Sequence, residues 1–148
     1  MSTTLLIDGN SLLKTGFHGV KNMYNGTDHI GGLYHFLNTL RKQIDINLAN
    51  KMSSSMGTLN NSITKGQGNV IGFLGEIIVA NELGITLDNT YDYDLIFNDK
   101  RIDVKSKKVS SVPRDYYECS VAALNTRQRC DLYMFTRIKN DLSEGWIL

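Results

Sequence analysis

The stretch that most constrains this chain is YDYDLIFNDKRIDVKSKK, Tyr91 to Lys108. Two runs of strand-forming residues, Tyr91 to Phe97 and Arg101 to Ser106, flank the turn-type cluster Asn98-Asp99-Lys100, which predicts a β-hairpin. A two-residue loop at Asn98-Asp99, or a four-residue loop centred on the same point, pairs Phe97 with Lys100, Leu95 with Ile102 and Tyr93 with Val104, and sets Asp94 opposite Asp103. Alternation then gives one face to Tyr93, Leu95, Phe97, Ile102 and Val104, and the other to Asp94, Ile96, Asp103 and Lys105. The first face is core, whereas the second carries two acids and a lysine. Directly opposed carboxylates have Cβ atoms about 4.5–5.5 Å apart and destabilise a hairpin. A divalent cation converts that repulsion into coordination, and Mg²⁺, which takes carboxylate and water oxygens, suits one or two such acids. Lys105 would then orient or deprotonate a water, or stabilise charge on a phosphate. The competing reading is an exposed hairpin face whose charges are simply solvated.

Upstream, Val70, Ile71, Phe73, Leu74, Ile77, Ile78 and Leu83 fill much of a helix's circumference, with Asn69 as its cap and Gly84 as its C′ glycine. A helix so apolar is largely buried, so Glu76 within it needs a reason. Its neighbours one turn away, Gly72 and Ala80, leave space beside the carboxylate for a metal or a metal-bound water. The alternative is a surface glutamate on an amphipathic helix.

Glu76 on this helix, Asp94, and the run Asp103-Val104-Lys105 together resemble the PD-(D/E)XK nuclease superfamily, with Tyr93 where the family name has proline. The superfamily includes many restriction enzymes, Holliday-junction resolvases, recombination exonucleases and some homing endonucleases. The resemblance covers about residues 68–148. It implies an α/β, restriction-endonuclease-like αβββαβ core with a mixed central sheet. It also implies a Mg²⁺-dependent endodeoxyribonuclease, with Mn²⁺ as the alternative ion. Asp94 and Asp103 would hold the metal, the Val104 carbonyl would be an extra ligand, and Glu76 would act directly or through water. Lys105 would activate the attacking water, and DNA is the implied partner. Lys107 and Lys108 would contact phosphates. Arg127 and Gln128 would stand beside the site on a short helix expected at Ala122 to Arg129. Tyr117 to Val121 is expected as a third strand and Asp131 to Ile138 as a central one. Gly145 to Leu148 reads as an edge strand or the start of an incomplete domain. Cutting both strands with one such site implies a homodimer.

The N-terminal part is organised differently. Thr3 to Ile7 reads as a buried strand ending at Asp8, followed by a helix from about Ser11 to Gly16, a turn-rich stretch at 21–28, and a longer helix carrying Leu33, Phe36, Leu37, Leu40 and Ile44. Leu5 to Leu13 (LLIDGNSLL), Gly16-Phe17-His18-Gly19 and Gly32 to Arg41 resemble the start of FEN-type 5′ nucleases, in which the acid at Asp8 binds catalytic metal. The further acids that such a site needs are missing after Arg41. Residues 1–46 are therefore expected to be a truncated, small β-α-α appendage, and Asp8 fits equally well as a strand-to-helix capping residue. Residues 47–68, rich in Ser, Asn and Gly, are expected to be a linker, leaving 69–148 as the nuclease-like domain. A nuclease joined behind such an opening resembles intron-borne homing endonucleases that extend an upstream exon; resolvase, restriction or phage DNA-processing roles fit the same residues. The alternatives are a FEN-like 5′ nuclease fragment and an inactive nuclease-fold DNA-binding module.

Composition restricts the other classes. The 148 residues have 41% hydrophobic content and a mean hydropathy of −0.22, with no apolar run approaching the ~20 residues of a membrane span. No signal-peptide pattern opens the chain, so a cytoplasmic location is expected, in the host if the protein is phage-encoded. Cys119 and Cys130 form no Cys-x-x-Cys pair, and His18, His29 and His35 all precede the hairpin, which disfavours a zinc or HNH-type centre there. Net charge is only +1, but from Lys100 onward ten Lys and Arg face six Asp and Glu, a modest bias towards phosphate.

Overall fold

The computed structural model describes residues 8–20, 23–57, 68–88, 90–121 and 129–148. The strand expected at Thr3 to Ile7 and the helix expected at Ala122 to Arg129, with Arg127 and Gln128, lie outside the described residues. The chain divides into two compact units, residues 1–44 and 45–148.

In the first unit, α1 spans Gly9–Gly19, longer than its expected extent. Asp8 Oδ1 accepts a hydrogen bond from Ser11 N at 3.0 Å, the geometry of a helix cap. Two short antiparallel strands, β1 (Tyr24–Asn25) and β2 (Asp28–His29), turn at Gly26, which adopts a φ of +64°. The stretch read as turn is thus a minimal hairpin. The next helix, α2, spans Gly31–Met56 and continues into the second unit.

That length corrects the linker assignment, because residues 47–56 are helical. Their polar side chains bond back onto the helix: Asn50 Nδ2 to Ile46 O, Ser54 Oγ to Asn50 O and Ser55 Oγ to Lys51 O. Ile46, Ala49 and Met52 meanwhile recur at helical spacing and pack on Ile71, Leu74 and Ile138, with Ala49 fully buried. Packing therefore decides in favour of helix where composition favours a loop.

The following helix, α3, spans Asn69–Leu83 and ends in a left-handed glycine, Gly84, at φ +68°. Asn69 does not cap it by a side-chain bond; the N-cap is Gly68, and Asn69 Nδ2 instead donates to Gly57 O at 2.9 Å. At the other end Asn81 Nδ2 lies 3.3 Å from Asp45 Oδ2. These two ties set residues 45–57 antiparallel to α3.

The sheet of this unit is mixed and four-stranded, in the order β3 (Leu95–Phe97), β4 (Lys100–Val109), β5 (Leu132–Lys139), β6 (Gly145–Ile147). Leu95 pairs with Ile102 and Phe97 with Lys100, the register expected for the hairpin. Asn98 and Asp99 have φ of 50° and 60°, the doubly left-handed loop that favours Asn and Asp. β4 and β5 run parallel, and β6 closes the far edge antiparallel to β5. Arg101 ties the starts of β4 and β5 through paired bonds from Nε and Nη2 to Asp131, both 3.0 Å; these bonds hold the Asp131 carboxyl well below the usual carboxylate range. The third strand expected at Tyr117 to Val121 does not form. Its polar groups are taken by side chains of the sheet, with Arg137 Nη2 donating to Glu118 O at 2.9 Å and Lys107 Nζ to Ser120 Oγ at 3.1 Å.

Val79, Ala80, Leu95, Ile102 and Val104 form the core between α3 and the sheet, with Phe97 against them. Tyr93, expected on that face, is half-buried and outside this cluster. Each aliphatic side chain buried there is worth roughly 1.5–3 kcal/mol. No helix among the described residues is long and apolar enough to cross a membrane.

The closest approach of α3 to the sheet is at Gly75. A Cβ there would lie 1.9 Å from Ser106 Oγ and 2.6 Å from Thr136 Oγ1, two hydroxyls joined by a 2.8 Å hydrogen bond. Gly75→Ala is expected to destabilise the protein by about 1–3 kcal/mol, as overpacking does, read as a lower urea midpoint at unchanged slope.

Candidate active site

Glu76 follows the contact glycine, so the close approach of α3 carries its carboxylate towards the sheet. It is 8% exposed, and its Oε2 has no hydrogen-bond partner among the described residues. The expectation of a buried glutamate, rather than a surface one, holds.

The register of the hairpin holds through Leu95, but Asp94 departs from it. The paired residues end at Leu95, Asp94 N donates to Ile102 O at 2.9 Å, and Asp94 Oδ2 accepts from Val104 N at 2.7 Å. Asp94 therefore does not sit as a cross-strand partner directly opposite Asp103. Its carboxylate occupies the edge of β4 where β3 has ended. N–H and C=O of one strand residue point to the same side, so the Val104 carbonyl faces this edge too.

Alternation along β4 gives Ile102, Val104 and Ser106 to the α3 side and Asp103, Lys105 and Lys107 to the other. Asp103 is 2% exposed and forms an ion pair with Lys105 Nζ. The Lys105 amino group also lies 6.0 Å from the ring centroid of Tyr133, the residue paired with Asp103 on β5. Hydrogen bonding to Cys130, then partial burial, raises the phenol's pKa. The cluster thus has three parts: Glu76 from the helix side, Asp94 at the strand edge, and Asp103 with Lys105 from the far face.

Electrostatics tie these parts together. Burial, then Asp94 and Asp103, push Glu76 up to about 8, with Lys105 opposing. Burial also raises Asp94 to about 6, with Asp103 adding to the rise while the Val104 N–H and Lys105 oppose it. Glu76, raised by both aspartates, and Asp94, raised by Asp103, lie where positive charge is short, and Lys105 supplies one unit of it.

Among the described residues, no three His, Cys, Asp or Glu side chains stand together as a ready metal group. The donor chemistry nevertheless fits a hard cation: Glu76 has a buried oxygen without a donor, and Asp94 and Asp103 supply the one or two carboxylates that Mg²⁺ usually takes. Lys107 and Lys108 alternate across β4, so they do not share one phosphate path, and Lys107 is engaged by Ser120.

Several neighbours escaped sequence reasoning. Thr90 Oγ1 donates to Tyr93 O at 2.6 Å and accepts from Tyr93 N at 3.0 Å, shaping the approach to Asp94. Arg137, 3% exposed, holds the segment over the far face of the sheet through Glu118 O. Tyr133 carries an alternation signal but no charge, and nothing in the sequence marked Thr90.

A carboxyl raised by folding binds its proton more tightly in the native state, so stability falls as pH rises from the unfolded value through the folded one. For Glu76 that window runs from 4.5 to about 8, and Asp94 adds the same sign up to about 6. Glu76→Gln is expected to flatten this loss and to stabilise the protein at pH 8 by roughly a few kcal/mol. Urea unfolding of both proteins at pH 5 and pH 8 measures it; an unchanged pH slope in the variant would contradict the assignment.

No family model matches the chain, and no curated protein and no solved structure matches it either, so a functional reading rests on these residues and their geometry.

Proposed function

We propose that the protein is a Mg²⁺-dependent endodeoxyribonuclease of PD-(D/E)XK type that hydrolyses DNA phosphodiester bonds at the Glu76, Asp94, Asp103 and Lys105 cluster. The observation that carries this reading is the approach of three wholly or partly buried acids and one lysine to β4 and its open edge, with Asp94 and Asp103 both raising Glu76 and Asp103 raising Asp94. A fold gains nothing from such a cluster by itself, since unneutralised buried acids cost stability.

Asp94, Asp103 and the Val104 carbonyl would hold the metal, with Glu76 reaching it through water. Mg²⁺, when bound, supplies charge neutralisation at the phosphate and a more acidic water. The chain's own groups do the remaining work. Asp94, anchored by Val104 N, presents its other oxygen from a fixed position. Lys105, as the ammonium that pairs with Asp103, orients the attacking water and stabilises charge as it develops on the phosphate. Its ion pair with Asp103 keeps that amine placed beforehand. Burial and the neighbouring acids hold the Glu76 proton well above the usual carboxylate range, and a cation bound beside Asp94 would favour its carboxylate form, available to a bridging water.

Covalently closed circular DNA tests the reading because it has no ends. Mg²⁺-dependent nicking or linearisation is expected, abolished by EDTA and reduced by at least about 100-fold in Asp103→Ala and Lys105→Ala with far-UV circular dichroism unchanged. Activity surviving both substitutions would remove the proposal. Cleavage confined to flapped or open 5′ ends would move the chemistry to Asp8.

A further inference from the structure

Two glycines lie one turn apart in α3, and only one is explained by packing. Gly75 is required by Ser106 and Thr136, but a Cβ on Gly72 meets nothing within 4 Å among the described residues. Glycine inside a helix costs roughly 1 kcal/mol relative to alanine, so a glycine facing open space gives up stability for no packing gain. The space it leaves belongs to a cavity of about 650 Å³ between the C-terminal half of α2 and the start of α3. That volume lies within the range of about 300–1,000 Å³ typical of small-molecule sites.

The cavity has two chemically different kinds of lining. Met52, Met56 and Leu48 from α2 and Phe73 from α3 provide apolar walls, and Leu48 and Met56 are 41% and 48% exposed at its rim. Glu76 and Asp94 line the same cavity, so it reaches two members of the acid cluster. Lys51, exposed on α2, also lines it and adds the cation that a phosphate would need there. The Asn69 bond to Gly57 O ties the two helix ends that border it. An occupant that uses both kinds of lining has an apolar part and an anionic part such as a phosphate. Thioether and phenyl walls suit a nucleobase, which every sequence presents as a stackable face.

We infer that this cavity receives one unpaired nucleobase of the DNA substrate, seated between the methionines of α2 and Phe73 with its phosphate towards Asp94 and Lys51, and that Gly72 keeps the seat open. The inference rests on the nucleic-acid reading above and narrows it: the preferred substrate is single-stranded or locally unpaired DNA, since a paired base would first have to leave its stack.

The test uses the full chain carrying Asp103→Ala, which holds turnover off, in Mg²⁺, with a fluorescein-labelled DNA single strand of about 12 nucleotides, within the footprint of single-strand binding modules. Fluorescence anisotropy is expected to show the single strand bound about tenfold or more tighter than a blunt duplex of the same sequence. Two fillers, Gly72→Leu and the exposed-site Ser55→Tyr, are each expected to weaken single-strand binding about tenfold, the scale of losing one stacked base, and to leave duplex binding unchanged. Two fillers at different positions keep the test open if one variant fails to melt cooperatively. Equal affinity for both DNAs, no binding of either, or single-strand binding indifferent to folded fillers would overturn the inference. The outcomes separate from those for the parent reading. A chain that nicks closed circles while its fillers bind single strands normally loses the seat and keeps the nuclease, whereas filler-sensitive binding by a chain that cuts nothing keeps the seat and loses the nuclease.

Discussion

The contact of Gly75 with the Ser106–Thr136 hydroxyl pair is the constraint on which the rest of the second unit depends. A helix carrying a side chain at that position would stand further from β4 and β5, and Glu76 would face solvent. Because the glycine lets backbone approach hydroxyl, the next residue is carried below the surface beside Asp94. The same approach packs Val79 and Ala80 onto Ile102 and Val104, so burial of the core and burial of the acid come from one geometry. Hydrophobic burial supplies the stability, and part of it offsets the cost of the buried carboxyls.

The acid cluster is arranged around the end of β3. Had β3 continued, its backbone would have paired with β4 beyond Ile102 and filled the edge that Asp94 now occupies. The short strand leaves Val104 N for a carboxylate. A single lysine then sits among three acids that draw on its charge, with Asp103 holding it by an ion pair and Tyr133 beside it. This is the setting in which an amine is placed for chemistry, and also one that a cation from solution would relieve.

Residues 47–56 show where composition misleads. Ser, Asn and Lys read as linker when taken one at a time, yet Ile46, Ala49 and Met52 form a buried stripe, and the serines satisfy their hydroxyls on carbonyls one turn back. The helix that results is one wall of the cavity above Glu76, so the misread segment and the overlooked cavity share a cause. The missing strand at Tyr117 to Val121 has the opposite origin: Arg137 and Lys107 reach from the sheet to groups of that segment, and the segment follows them.

Local chemistry was enough for the hairpin and its register through Leu95, the α3 helix with its C′ glycine, β5, and β6 at the sheet edge. Each is set by short-range terms: turn residues that tolerate positive φ, period-two alternation, and an apolar run ended by glycine. The same terms brought Asp103 and Lys105 onto one face and singled out Glu76 as an acid in an apolar helix. What tertiary structure decided was which groups meet across elements. Asp94 leaves its register because a backbone N–H is open beside it, Ser-rich chain becomes helix because α3 offers it a surface, and two similar glycines take opposite roles because one faces two hydroxyls and the other faces open space among the described residues. These outcomes depend on distances between residues far apart in sequence, which packing sets and no local pattern encodes.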